Sequence, residues 1–291
     1  MKKIIFALSF FVFFSCSEEE ENYDFTDDYI SSDYDVNFDS QKVALNQNWE
    51  FAEFSKINSG KAIFYKAGEN QNGFTVSVNA GHGTSGGNTV KTFSHPDKSP
   101  KVTGGTNAKG AVESMAVSDG MTFKCAVSEA QINLRVAVIL RKMLLENGFN
   151  VLMIRAGDDV QLDNIARTVI SNNCADIHIT IHFDGDGKKY DKGCFYCGIP
   201  EELKFLQNVK NHCNNSEKLG QCIISGLQEN GLLIYENGRT ELDLTQTSFS
   251  TIPTVDIELG NQCTIPLTKD LEKRANGILA GVQKYFNILF L

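Results

Sequence analysis

From Phe74 onward the apolar positions recur with two alternating periods, one of two residues and one of three to four. FTVSVNA (74–80) alternates and predicts a strand. Ile132, Val136, Ile139, Leu140, Met143 and Leu144 then recur at helical spacing. Ser128 and Gln131 supply a capping box before them, and Gly148 supplies a stop after them. FNVLMIR (149–155) predicts a second strand, followed by a helix over about 160–172, the strand DIHITIHF and the strand-like GCFYCG. Ser216 is expected to open a helix whose buried face holds Leu219, Ile223 and Leu227, with Gly231 ending it. TVDIE after Pro253 predicts another strand, and Thr268 is expected to cap a last helix through Leu271, Ala275, Ile278, Val282 and Phe286. Such alternation predicts an α/β domain of three layers, a mostly parallel twisted sheet with helices on both faces.

Upstream of this domain, assigned to residues 74–291, the pattern changes twice. Lys2 and Lys3 precede an apolar run, Ile4 to Phe14, that is too short to span a bilayer. The run ends at Ser15-Cys16, so residues 1–16 resemble the signal peptide and lipobox of bacterial lipoproteins, with Phe13 where Leu is usual. That resemblance implies lipidation at Cys16 and an exported protein held to a bacterial envelope membrane, expected to be the outer membrane on its periplasmic or surface side. Residues 17–45 read as a disordered acidic tether and 46–73 as a short flap containing the only Trp, Trp49, and a strand-like KAIFYKA. Within the main domain, residues 84–128 form a long irregular loop marked by His95-Pro96 and Ser99-Pro100, the kind of segment that is usually functional.

Charge sharpens this division. The net charge is −9, but residues 17–40 hold ten acidic side chains and no Lys or Arg, whereas the chain from Gln41 on has 26 acidic and 25 basic residues. The folded part is near neutral and carries no basic footprint for nucleic acid. GTSGGN lacks the Gly-Lys-Ser/Thr that grips phosphate in nucleotide-binding loops. Seven cysteines remain after Cys16, an odd number that cannot all pair. Cys194 and Cys197 are three apart on a strand and face opposite ways, so a shared metal or dithiol is not expected there.

Four residues carry candidate chemistry. His82 follows the first strand, His182 ends the DIHITIHF strand, Glu258 ends the TVDIE strand, and Glu129 lies in the first turn of a helix. Ligands of an open α/β sheet gather beyond the carboxyl ends of its strands. Two imidazoles and a carboxylate suit a catalytic Zn2+ that keeps a position for water, and a further carboxylate suits a general base. Glu113 rivals Glu129 as third ligand. His178 shares a strand face with His182 but lies about 13 Å away, too far for the same ion, and reads as a core histidine. His95 and His212 read as surface residues. Taken alone, these parts describe metal-assisted amide hydrolysis and leave an ordinary zinc peptidase open.

VNAGHG, Glu129 followed by Asn133-Leu134, AD-x-H-I-T-I-H at 175–182, SEKLGQCIISGL at 216–227 and IPTVDIELGNQ at 252–262 together resemble the zinc-dependent N-acetylmuramoyl-L-alanine amidases. The resemblance implies zinc held by His82, Glu129 and His182, Glu258 as catalytic base, and peptidoglycan as substrate, cut between N-acetylmuramic acid and L-alanine. A non-catalytic wall-binding lipoprotein is the alternative of another class. Two departures stand out: Asn79-Ala80 replaces the usual Asp-Pro before Gly-His-Gly, and 46 residues separate His82 from Glu129. Arg167 and Arg239 fall near family arginine positions.

Overall fold

The structure, a computed structural model, describes residues 38–68 and 70–288; Cys16, the expected signal peptide and most of the expected tether lie outside them. Ten strands and five helices follow one another as β1 (Ser40–Ala44), β2 (Lys61–Tyr65), β3 (Thr75–Ala80), β4 (Lys91–Phe93), β5 (Glu113–Met115), α1 (Glu129–Glu146), β6 (Asn150–Met153), α2 (Asn164–Cys174), β7 (Ile177–Asp184), β8 (Cys194–Gly198), α3 (Gln207–Glu229), β9 (Ile234–Glu241), α4 (Thr245–Phe249), β10 (Thr254–Asn261) and α5 (Thr268–Tyr285). Eight strands form one sheet in the order β1-β2-β6-β3-β7-β10-β8-β9. Its centre, β6-β3-β7-β10, is parallel; β2 joins β6, and β8 joins β10, antiparallel. The reversal at β8 follows from its connection. Residues 185–193 cross the end of β10 directly, and so short a link cannot hold the crossover helix that a parallel strand would need.

The two faces of the sheet differ in chemistry. Val76, Val78 and Ala80 of β3, Ile177, Ile179 and Ile181 of β7, and Val255 and Ile257 of β10 bury against one face in a cluster with α1, α3 and α5. On the other face the same strands present Ser77 and Asn79, His178, Thr180 and His182, and Asp256 and Glu258. Central parallel strands usually read as unbroken apolar runs. Here they alternate because the second face, under α2 and α4, is a buried polar network: Ser77 meets Ser171 of α2 at 2.7 Å, and Thr180 donates to Gln246 of α4 at 2.9 Å.

Several boundaries move from the sequence reading. Residues 40–44, assigned to the tether, form β1 and pair with β2 at the sheet edge. The expected flap is therefore part of the domain: β2 extends the main sheet, and Trp49, Phe51 and Phe54 pack with Phe249 over α2. Ser216 does not open its helix. α3 begins at Gln207, because Val209, His212 and Cys213 already carry the buried stripe, and the Ser216 hydroxyl is committed to His212 Nδ1 (2.9 Å) and the Thr254 N–H (3.0 Å). Thr268 is the first residue of α5 and offers no side-chain cap. β9, α4 and the β4–β5 hairpin lie in segments whose apolar positions are too sparse to announce them. Among the described residues no helix is long and apolar enough to cross a membrane.

Asp163 fastens the N-terminal segment to the domain. Its Oδ1 caps α2 through the Ala166 N–H (2.8 Å), while Oδ2 accepts from the Lys56 and Ile57 N–H groups (2.6 and 2.9 Å) and the Ser55 hydroxyl (3.1 Å). Asp163→Ala removes one cap and strands two backbone donors, so it is expected to cost about 3–5 kcal/mol in urea unfolding and to open residues 46–60 to protease. A loss below about 1 kcal/mol with unchanged proteolysis would show that the apolar contacts alone hold this segment.

Candidate metal centre

β3 ends in a turn whose backbone is gripped from behind. His82 adopts φ 65°, a left-handed conformation that costs a non-glycine residue stability and persists only where the surroundings fix it. Arg167 donates to the His82 carbonyl (2.7 Å), the Ala80 carbonyl (3.3 Å), Asn79 Oδ1 (3.1 Å) and Thr84 Oγ1 (2.8 Å). Arg155 donates to the carbonyls of Ala80 (3.1 Å) and Gly81 (3.0 Å), and with the same Nη2 to the carbonyl of Ala130 (2.7 Å) in the first turn of α1. Both arginines are fully buried. The glycines beside His82 are required by space. A Cβ at Gly81 would lie 2.2 Å from the His182 imidazole, and one at Gly83, where φ is +68°, would lie 2.7 Å from the Arg155 guanidinium.

Three side chains converge in front of this turn. Glu129 Oε1 lies 2.8 Å from His82 Nε2 and 2.9 Å from His182 Nδ1, and the two nitrogens are 3.1 Å apart. Tetrahedral ligands at zinc bond lengths stand about 3.3 Å apart, so the three atoms are spaced like the edges of one coordination face. The donor chemistry fits the same group. His82 Nδ1 lies 2.7 Å from the Ser118 carbonyl, which takes its N–H and leaves Nε2 as a lone pair aimed at the carboxylate. Glu129 is oriented by the Met121 N–H at Oε2 (2.9 Å), and by Asn133 Nδ2 and the Phe183 N–H at Oε1 (both 3.2 Å). Burial pushes the Glu129 carboxyl up, but the two imidazoles outweigh it and hold the group well below its usual range. Burial pulls His182 down, yet its bond to Glu129 prevails and brings it to about 9. A divalent cation would compete for that same nitrogen.

Glu258 is the neighbour of His182 across the β7–β10 pair, on the same face. Its Oε2 is buried without a partner, and burial pushes its pKa up to about 8. Asp256, two residues earlier on that face, is also raised by burial, with Oδ1 unpartnered. His178 lies deeper in the strand, with both nitrogens unpartnered, and burial draws it down to about 3, so it is a neutral core residue.

Other expectations resolve differently. Glu113, the rival ligand, sits exposed on β5 and is no part of this cluster. His95 and His212 are buried rather than on the surface, each held by a serine hydroxyl, Ser248 (2.8 Å) and Ser216 (2.9 Å). The described cysteines are all free thiols, and burial pushes Cys194 up to about 12. Arg239 points to the opposite face, where it pairs with Glu217 at 2.9 Å. Sequence reasoning passed over Arg155, Ser118 and Asp256. Arg155 alone left a signal, a charge closing the largely apolar FNVLMIR run.

The profile of a family described as N-acetylmuramoyl-L-alanine amidase matches residues 76–284. No curated protein is a significant sequence match. Among solved structures, an apo N-acetylmuramyl-L-alanine amidase of Mycobacterium abscessus is similar at TM-score 0.60 and 20% identity, covering 74% of this chain and 99% of that one. A counterpart from Mycobacterium smegmatis is similar at TM-score 0.62 and 17% identity, covering 76% and 100%. A Clostridium difficile 630 N-acetylmuramoyl-L-alanine amidase is similar at 0.55 and 19%, also covering 76% and 100%. At such identities the likeness establishes the fold.

The loop 84–128 turns out to be a docked arm. β4 and β5 pair into a hairpin closed at its base by the Ala116 and Val117 N–H groups on the carbonyls of Val90 and Gly87. Beyond the hairpin, Asp243 gathers the arm: its carboxylate lies 3.2 Å from both His95 Nε2 and Lys101 Nζ, and accepts from the Val102 N–H at 2.7 Å. Ser248, His95 and Asp243 thus line up as hydroxyl, imidazole and carboxylate, but all three are sealed from solvent, so no substrate reaches the hydroxyl. Burial pushes the Asp243 carboxyl up; His95 and Lys101 outweigh it and hold it below its ordinary value. A lowered folded-state pKa gives stability that is present above the ordinary carboxyl range, about pH 4, and lost as pH falls through the folded value. Asp243→Ala should therefore cost about 3–5 kcal/mol at pH 7, because it leaves the buried Lys101 ammonium without its counter-charge and removes the carboxylate from His95 Nε2 and the Val102 N–H. Urea unfolding should show that difference shrinking toward pH 3; an equal loss at both pH values would mean that the carboxylate's charge plays no part in docking the arm.

Proposed function

The chain belongs to the N-acetylmuramoyl-L-alanine amidase family, and from that premise we propose that it hydrolyses the amide between N-acetylmuramic acid and L-alanine of peptidoglycan with zinc held by His82, Glu129 and His182. The observation that carries this reading is the convergence of those three donor atoms, from three separate elements, within 3.1 Å of one another beside a buried carboxylate. When bound, zinc acidifies water and polarises the scissile carbonyl.

The remaining work falls to the chain's own groups. Glu258, which faces the site beside His182, takes a proton as a carboxylate from the attacking water as the oxygen bonds to the carbonyl carbon. It returns that proton to the departing L-alanine nitrogen as the C–N bond breaks, which leaves a carboxylate on the muramic acid and a free amine on the peptide. Ser118 and Met121 hold His82 and Glu129 in orientation throughout, so the ligands need no rearrangement. Lipidation at Cys16 would tether this domain to the outer membrane within reach of the wall. A Cys16→Ser variant released from membranes on fractionation supports that placement, and one that stays bound refutes it.

Digestion of purified peptidoglycan, followed by mass analysis, tests the reaction. Wild type should release stem peptides that begin at L-alanine, and Glu258→Gln should lower the rate about 10²–10⁴-fold while still binding zinc. Cuts within the stem would mark a peptidase instead, and absence of any product would leave a wall-binding protein. The metal reading has its own check. Asn133→Ala removes an orienting hydrogen bond from Glu129 and should weaken zinc about 10–100-fold in chelator competition; unchanged affinity would separate this carboxylate from the metal.

A further inference from the structure

On the β8–β9 side of the site, the polar face of the sheet turns aromatic. Phe195 of β8, 4% exposed beneath the Lys192 ammonium, is the register partner of Glu258, and the partly exposed Tyr235 ring of β9 lies 5.7 Å from that of Phe195. Each strand step is about 4.8 Å, so Tyr235 stands about 10 Å from Glu258 along the sheet. Over this strip passes the 185–193 segment, which brings Lys188 Nζ to 4.7 Å from the Tyr235 ring centre and 5.7 Å from that of Tyr190, itself 62% exposed.

Two lysines approach Tyr235, and they are not equivalent. Lys192 also lies 4.7 Å from the ring but is neutralised by Asp184 and Asp186. Lys188 has no carboxylate partner for its ammonium among the described residues. Its backbone is nonetheless fixed: its N–H donates to Asp186 Oδ1 (3.0 Å), and its carbonyl accepts from Gln262 Nε2 (2.7 Å) and Cys263 Sγ (3.2 Å). Asp186 Oδ1 also accepts from Asn261, three residues beyond Glu258 on β10. An uncompensated cation is therefore held at a set distance from Glu258, beside the partly exposed Tyr235 ring.

We propose that Tyr235 and Lys188, with the buried Phe195 ring as backing, form the subsite for the peptide side of the scissile amide, with Lys188 pairing with a peptide carboxylate. This rests on the amidase reading above. In such a substrate the muramic acid carboxyl is consumed in the amide, so the anionic groups belong to the peptide. An extended peptide advances about 3.4 Å per residue, so 10 Å reaches about the third residue from the bond. The Tyr235 ring supplies apolar contact that any peptide can use, and the ammonium distinguishes charged from neutral stems.

The test uses synthetic N-acetylmuramoyl-L-alanyl peptides that differ only in whether their peptide carboxylates are free or converted to carboxamides. Wild type is expected to favour the free acids by about tenfold in kcat/KM. Lys188→Gln should bring the two substrates within about twofold of each other, Lys188→Arg should retain the preference, and Tyr235→Ala should lower kcat/KM for both. Equal treatment of the two peptides by wild type, or a preference that survives in Lys188→Gln, overturns the subsite alone. Release of peptide from neither substrate by wild type overturns the amidase reading, and the subsite with it.

Discussion

Two buried guanidinium groups fix what everything in front of them can do. Arg155 and Arg167 form no ion pair among the described residues, and only more distant Asp158, Asp159 and Asp163 act on their charges; their hydrogen bonds go largely to the carbonyls of the turn that follows β3. Burial lowers both, to about 10 and about 9, and each remains charged at neutral pH. Desolvating two like charges side by side is costly, and the carbonyl dipoles offset that cost only while the turn keeps this one shape. The strained φ of His82 is therefore held in place by these hydrogen bonds. Because one nitrogen of Arg155 bridges the Gly81 and Ala130 carbonyls, it also ties the segment carrying His82 to the helix turn carrying Glu129. The spacing of two donor atoms follows from a cation that touches neither side chain.

The division of the sheet into an apolar and a polar face is the second consequence. Polar side chains at Asn79, Thr180 and Asp256 are tolerable in a central parallel sheet only if α2 and α4 return hydrogen bonds, as Arg167 does for Asn79 and Gln246 for Thr180. Where the helices stop, at the carboxyl ends of β7 and β10, the unpaired carboxylate oxygens of Asp256 and Glu258 remain. Cations thus lie behind the His82 turn, and two carboxyl groups that burial biases toward holding a proton lie across from it.

Much of this was legible in the sequence because the signals were local. The capping box at Ser128 and Gln131 is formed as expected, and the even spacing in VSVNA, HITIH and VDIE placed each candidate residue on its face. What was not legible depended on distant partners. His95 looked like a surface residue beside a proline because its acceptor, Asp243, is far along the chain. Residues 40–44 read as tether because an edge strand exposed on one side carries little apolar periodicity. Ser216 read as a helix start because a serine before an apolar stripe is an ordinary cap signal, whereas its hydroxyl serves the N–H of Thr254. The amphipathic code reports what faces the core; it says little about which polar group answers which.

The long interval between His82 and Glu129 is the departure that most weakened the sequence argument for that carboxylate, and its resolution is geometric. The arm leaves at Gly87 and returns at Val117, where backbone hydrogen bonds bring the two ends together. To the site, the inserted residues therefore count as a short turn. Closing a longer loop costs little extra, since each doubling of length adds only about 0.6 kcal/mol, and the latch at Asp243 offsets it. The chain that re-emerges, Ser118 to Met121, supplies the carbonyl that orients His82 and the N–H that orients Glu129. Sequence distance between two such residues is thus a poor measure of whether they act together. The better measure is whether the chain between them closes on itself before it reaches the second.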